Sequence, residues 1–375
     1  MEVTMRTTLQ QLAEHGQSPW IHHLTRDWIH DPDHGLPRLI RHGVTGAVAN
    51  PATLVAALSG TTAYDEQIRT LLPVVEDSNE FHRQLVRLDA RDACDLLLET
   101  AAGDKPLDGW IGVEVDPRFI DDAAAIVEQA RWLSAAVGRP NLLVGITAAG
   151  SGLAAIEEAT ALGLSVLATG VYSPGRYRDT ALAYQRGLAR LVAAGGDPAT
   201  VTSVASVPVA ALDEKADLRL RAVGRHPELI GTLGMATAKL IRSEYLAFFT
   251  GAEWERLAAF GATPQRCLWS GLTVSDGRQP SLRYAEGLIG RGSAALLSRH
   301  TAEAFLSRGR VQPTLDYQLT AARRILAAHV KAGVSPKLIV NALEAENVRR
   351  GAEAFGDVRA LIDYKRAQLG VMAFR

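Results

Sequence analysis

Eight short apolar runs, separated by longer helical patterns, constrain this chain more than any other feature. They are "SPWIHHL" (18–24), "GVTGAVANP" (43–51), "GWIGVEVDP" (109–117), "NLLVGIT" (141–147), "LSVLATGVYS" (164–173), "VTSVASVPVA" (201–210), "QRCLWSGLTV" (265–274) and "SAALLSR" (293–299). Amphipathic segments lie between them. One is 121–138, with Ala125, Val127, Ala130 and Leu133 on or near one face; another is 227–249. Strands alternating with helices predict a parallel sheet. Eight of them predict an α/β fold closed into an (α/β)8 TIM barrel, which leaves no strand edge open. An open doubly wound sheet is the alternative. It usually carries a glycine-rich phosphate turn after the first strand, and none follows Leu24. From Gln312 onward the pattern is helical throughout. The expectation is one domain over 1–375, with the barrel at about 15–310 and extra C-terminal helices packed on it from about 312 to 375.

Charge and composition narrow the function classes. The net charge is -1 and no long basic block occurs, so nucleic acid is not an expected partner. The opening "MEVTMRTTLQQLAEHGQ" lacks the apolar run of a secretion signal, and no stretch reaches a membrane span. Cys94 and Cys267 form neither a disulfide framework nor a zinc site, which predicts a reducing cytoplasm. A small-molecule substrate and a monomer or homodimer are expected, with no cofactor. His22 and His23 are neighbours on a strand and point to opposite faces. They cannot share a metal there, and no metal is expected.

Alternation along the strands sorts inward from outward side chains. In 109–117, Ile111, Val113 and Val115 face the helices, while Gly112, Glu114 and Asp116 face the lumen. In 141–147 the inward set is Leu143, Gly145 and Thr147. A carboxylate near the C-terminal end of a barrel strand reads as catalytic, which singles out Glu114; an ion pair with Arg118 is the structural alternative. Asp116, followed by Pro117, reads as a turn or cap residue. His22 shares the face of Trp20 and is either a general acid or base or a hydrogen-bonded core histidine.

At these residues the chain resembles the bacterial transaldolase family over nearly its whole length. The segments that carry the likeness are "GVTGAVANP", "DGWIGVEVDPRF", "RPNLLVGITAAGSGLAAI", "ALGLSVLATGVYS", "YRDTALAYQRGL", "SVASVPVAALDEKAD", "GMATAKLIRSEYLAFF" and "QRCLWSG". The resemblance implies the barrel, and an activity that moves a dihydroxyacetone unit between sugar phosphates through a lysine Schiff base. It places that lysine in the fourth strand, where this chain has Gly145. The family's first-strand aspartate falls on His22, its second-strand threonine on Val48, its fifth-strand asparagine on Leu167 and its sixth-strand arginine on Ala211. The phosphate-site serine and basic residue fall on Gly271 and Ser275. Asn50, Glu114, Thr169 and Ser206 are retained.

Taken alone, these positions predict a roomier, less polar lumen that receives a bulkier, less charged metabolite. Substrate contacts are then expected from Asn50, Thr169, Ser206, Val48, Gly145, Thr147, Leu167, Ala211 and Gly271. The corresponding expectation is a transaldolase-like enzyme of specialised metabolism without the Schiff-base lysine. Glu114 and His22 would run proton transfer, elimination, isomerisation or cyclisation, and ordinary transaldolase activity is not expected. The alternatives are a catalytically dead binding or scaffold protein and a true transaldolase with a relocated lysine. Of the six lysines, Lys215 alone lies close behind a strand's C-terminal end; a solvated helix lysine is its plainer reading. Arg118, Arg176 and Arg278 are the loop cations that could replace the phosphate clamp.

Overall fold

The computed structural model describes residues 6–103 and 108–373; Lys105 lies outside the described residues. Eight strands close into one barrel in sequence order: β1 (Gln17–Ile21), β2 (Gly46–Val48), β3 (Trp110–Glu114), β4 (Leu142–Thr147), β5 (Val166–Thr169), β6 (Ser203–Pro208), β7 (Arg266–Ser270) and β8 (Ser293–Leu297). Every pairing is parallel, including the closure of β1 on β8. The strands are shorter than the apolar runs that announce them. The 43–51 run, for example, pairs only over Gly46–Val48, because Asn50 already caps the next helix with its side chain.

Alternation produces two separate apolar layers. Outward residues such as Ile111, Val113, Val144 and Ile146 join the large core between sheet and helices. Inward residues form a second cluster of Trp20, Val48, Leu143, Leu167, Val204, Leu268, Ala294 and Leu296. Trp20 is fully buried there. It fits because Gly46, its register partner on β2, has no side chain: a Cβ at Gly46 would lie 2.6 Å from the indole. The lower lumen is therefore packed solid, as barrels of this size are.

The principal outer helices are α1 (Pro51–Gly60), α2 (Ser78–Ala101), α3 (Ala123–Val137), α4 (Gly152–Ala161), α5 (Pro174–Ala193), α6 (Val209–Val223), α7 (Leu233–Phe248), α8 (Arg299–Arg308), α9 (Leu319–Lys331) and α10 (Pro336–Ala373). Their starts are capped as the sequence leads one to expect: Asp77, Asp122 and Ser173 each accept a hydrogen bond from a first-turn amide of α2, α3 and α5. Among the described residues no helix is long and apolar enough to cross a membrane.

The helix α10 crosses the C-terminal end of the barrel. Asn347 lies against Gly170, just past β5, and Gly351 against Pro117, just past β3. Farther along, Val358, Ile362 and Leu369 bury themselves with Leu54, Leu58, Tyr64, Phe81 and Leu85 around α1 and α2. The tail is thus a strap over the barrel mouth, held at its far end by an apolar cluster of its own.

Candidate active site

Beneath α10, the strand ends present a polar ring. Glu114 ends β3 and pairs in register with Gly145; Thr147 on β4 pairs with Thr169 on β5. The Thr169 hydroxyl hydrogen-bonds Glu114 and lies 3.4 Å from the Thr147 hydroxyl. On the far side Ser206 donates to Ser270 at 2.9 Å. Tyr172, just past β5, is buried, and its phenol is pushed upward by that burial and then by the charges of Glu114 and Glu346. It therefore lies near both the strand-end carboxyl of Glu114 and Glu346 of α10.

Gly145 has a local structural reason. A Cβ there would stand 2.7 Å from Glu114 Cγ and 2.8 Å from Glu114 Cα. The Glu114 side chain occupies the space that any longer residue at 145 would need.

Burial pushes the Glu114 carboxyl up to about 7, against the hydrogen bond from Thr169 that favours the ionised form. Its proton is held in the folded chain to a higher pH than the ordinary value of 4.5. The resulting stabilisation is full below about pH 4.5 and is lost as pH rises through about 7. Against Glu114→Gln, the wild-type chain should lose on the order of 2–3 kcal/mol between pH 4.5 and pH 8. Urea unfolding of both proteins at the two pH values measures this; a constant difference between them contradicts it.

His22 follows β1 and donates its backbone amide to Leu297. Burial, and then the neighbouring His23, lower its pKa to about 4. The ring is neutral near pH 7, so it carries no imidazolium charge; one ring nitrogen bears a proton and the other accepts one. His23 faces elsewhere, edge-on to Trp28 at 4.9 Å between centroids. No cluster of metal-ligating side chains occurs among the described residues.

The enlarged lumen expected from the small and apolar positions is not what forms. Val48 and Leu167 belong to the packed barrel core. Ala211 is on α6, not on a strand, and packs against the apolar cluster that includes Leu212 and Leu343. The Gly271 carbonyl accepts the Ala210 amide. None of the four, nor Gly145, lines the cavity of about 430 Å³ that does open beside Glu114. That cavity lies between β3, α2, α3 and α10. Asn50 lines it, its Oδ1 accepting the Ala52 amide at the start of α1 at 2.9 Å. Inwardness along a strand says nothing of depth, and these residues sit at different depths.

The loop cations are engaged. Arg118 pairs with Asp116, whose side chain also caps the turn after β3, so Asp116 and not Glu114 anchors it. Arg176 forms a two-pronged pair with Glu344 at 2.9 and 3.1 Å. Arg278 is exposed beside Asp276. Lys215 is on α6, which starts directly from β6, and forms an ion pair with Glu346 of α10, one residue before Asn347 at the mouth. Tyr172, Ser270 and the α10 residues Glu346 and Asn347 escaped sequence reasoning. Ser270 ends the seventh apolar run, which alternation alone could have flagged; the α10 residues carry no such signal.

Comparison with known proteins places the chain. The transaldolase/fructose-6-phosphate aldolase family model matches residues 19–362. A transaldolase of Parafrankia sp. (strain EAN1pec) is 35% identical over 373 residues, covering 98% of this chain and all of the relative. Transaldolase 1 of Streptomyces avermitilis is 34% identical, covering 93% of each chain. A Thermobifida fusca transaldolase is 34% identical, covering 94% of this chain and 97% of its own. Similarity to proteins of that name along their whole length overturns the expectation of a repurposed, lysine-independent or dead enzyme, and with it the expectation that ordinary transaldolase activity is absent. The chain belongs to the transaldolase/fructose-6-phosphate aldolase family.

Proposed function

We propose that the protein is a transaldolase that moves a dihydroxyacetone unit between sugar phosphates, with Lys215 as the imine-forming amine. The observation that carries the activity is the end-to-end similarity to relatives named transaldolase. Lys215 is favoured over the other described lysines by position. Lys365 is tied to Asp65 and Thr61, and Lys239 to the carbonyls of Thr314 and Tyr317. Lys215 stands where α6 meets α10 over the barrel mouth, on the side of Tyr172. Gly145 carries no amine, and the space beside it is filled by Glu114, so the reactive nitrogen has to reach the ketose from the rim.

The chemistry requires the Lys215–Glu346 pair to open and the ammonium to lose a proton. The amine then attacks the ketose carbonyl and water leaves. The sugar hydroxyl gives up its proton, the far fragment leaves as an aldehyde, the imine takes up the electron pair of the broken carbon–carbon bond, and the enamine so formed adds to the acceptor aldehyde, whose oxygen takes a proton. Water releases the product and restores the amine. Glu114 is the acid–base group of this reading: a carboxyl held near 7 exchanges protons readily at neutral pH. Thr147, Thr169, Ser206 and Ser270 supply hydroxyls for those of the sugar.

Borohydride reduction in the presence of fructose 6-phosphate, followed by peptide mass mapping, tests the proposal. A reduced adduct on Lys215 is expected. A chain that yields no adduct on any lysine does not use an imine, and the reading fails.

A further inference from the structure

The cavity beside Glu114 extends away from the strand ends, between α2 and α3 and under the far half of α10. Its outer part has a composition that the imine chemistry does not use. Two guanidinium groups meet there. Arg83 of α2 lies over the Trp132 ring of α3, 5.2 Å from the centroid. Arg359 of α10 donates to Asn79 at 3.1 Å, and its buried Nε has no hydrogen-bond partner. Among the described residues no carboxylate lies within ion-pair distance of Arg359, and Arg83 has only Glu80, at 3.8 Å. His82 lines the same cavity, edge-on to Phe355 at 5.2 Å between centroids.

Of the acids that line the same cavity, Glu114 stands at its inner end with a hydrogen bond from Thr169, and the other three have partners. Asp77 caps α2, Asp89 takes the Tyr64 hydroxyl and Arg26, and Asp116 takes Arg118. Both arginines line this cavity of partly aromatic walls, Arg83 exposed at its rim and Arg359 half-buried. A guanidinium with unmet N–H groups in a partly desolvated site is matched by a carboxylate or phosphate, and ring faces are matched by a flat apolar body. A volume of about 430 Å³ suits a small organic molecule.

We propose that this cavity is a second ligand site, which binds a small organic anion with a flat apolar body, its phosphate or carboxylate held by Arg83 and Arg359 and its body between Trp132 and Phe355. The site does not include Lys215 but adjoins the acid–base group Glu114, and its occupancy is measured without reference to turnover. Because Glu114 lines the inner wall, a bound ligand would close the cavity's approach to the strand ends.

Calorimetric titration of the whole chain with phenyl phosphate, benzoate, inorganic phosphate and phenol tests the proposal. Phenyl phosphate or benzoate should bind at least tenfold more tightly than inorganic phosphate and phenol, since each of the latter offers one half of the match; which of the two wins identifies the head group. Arg359→Met and Arg83→Met should each weaken the better ligand tenfold or more, and Arg359→Lys less. Equal binding of inorganic phosphate, or affinity unchanged in both methionine variants, overturns the site. If a variant fails to fold, the indole N–H resonance of Trp132 in the wild-type chain decides. It should shift on addition of the better ligand, and an unmoved resonance overturns the proposal.

Discussion

Lys215→Met should lower transaldolase turnover by at least about 10³-fold, the scale on which losing a covalent nucleophile acts, and should abolish borohydride trapping. Methionine keeps most of the stem and removes only the amine. The structural cost is small because the Lys215–Glu346 pair is partly exposed, and Glu346 keeps a second partner in Arg350. Loss of such a pair costs about 1 kcal/mol or less. Activity and stability therefore separate: the variant should unfold at nearly the wild-type urea concentration while its kcat/KM collapses. Turnover within tenfold of wild type, with trapping retained, would show that another amine does the work.

The largest stability effect should come from the barrel interior. Trp20 is fully buried among Val48, Leu143, Leu167 and Leu268. Trp20→Ala should cost about 3–5 kcal/mol, because the removed ring leaves a void in a closed cylinder whose walls are tied by hydrogen bonds and cannot collapse inward. Gly46→Ala should cost about 1–3 kcal/mol by driving a methyl into the indole. The two are coupled. In the Trp20→Ala background the methyl at 46 meets empty space, so Gly46→Ala should there be nearly neutral, and the double variant should be more stable than the summed single effects imply. Equilibrium urea unfolding of the four proteins measures the cycle. Simple additivity would mean that Trp20 and Gly46 do not share the lumen.

Part of the candidate site is legible in the sequence alone. Glu114 stood out because strand alternation turns it inward at the end of a barrel strand, and the structure puts it at the strand ends beside Gly145. Thr147 and Thr169 fall in register next to it for the same reason. The expectation of an enlarged apolar lumen failed on a different point. Val48 and Leu167 do point inward, but at the depth of Trp20, where a barrel is always filled. Ala211 had already left the strand for α6. A period of two reports which face a residue occupies and not how far it lies from the mouth. Reading a change of substrate from those identities therefore treated packing residues as contacts.

The tail shows the same limit. Its helical pattern was plain from spacing, yet nothing in 336–373 announces that Asn347 and Gly351 would rest against the ends of β5 and β3, or that Phe355 and Arg359 would join His82, Arg83 and Trp132 around a cavity. The sequence by itself determined the closed parallel barrel, because eight buried runs spaced by amphipathic helices admit few other ways to hide their edges. Only the tertiary structure decided what stands over the mouth and which cations face open space. Those depend on how segments hundreds of residues apart pack together, and local periodicity carries no information about that distance.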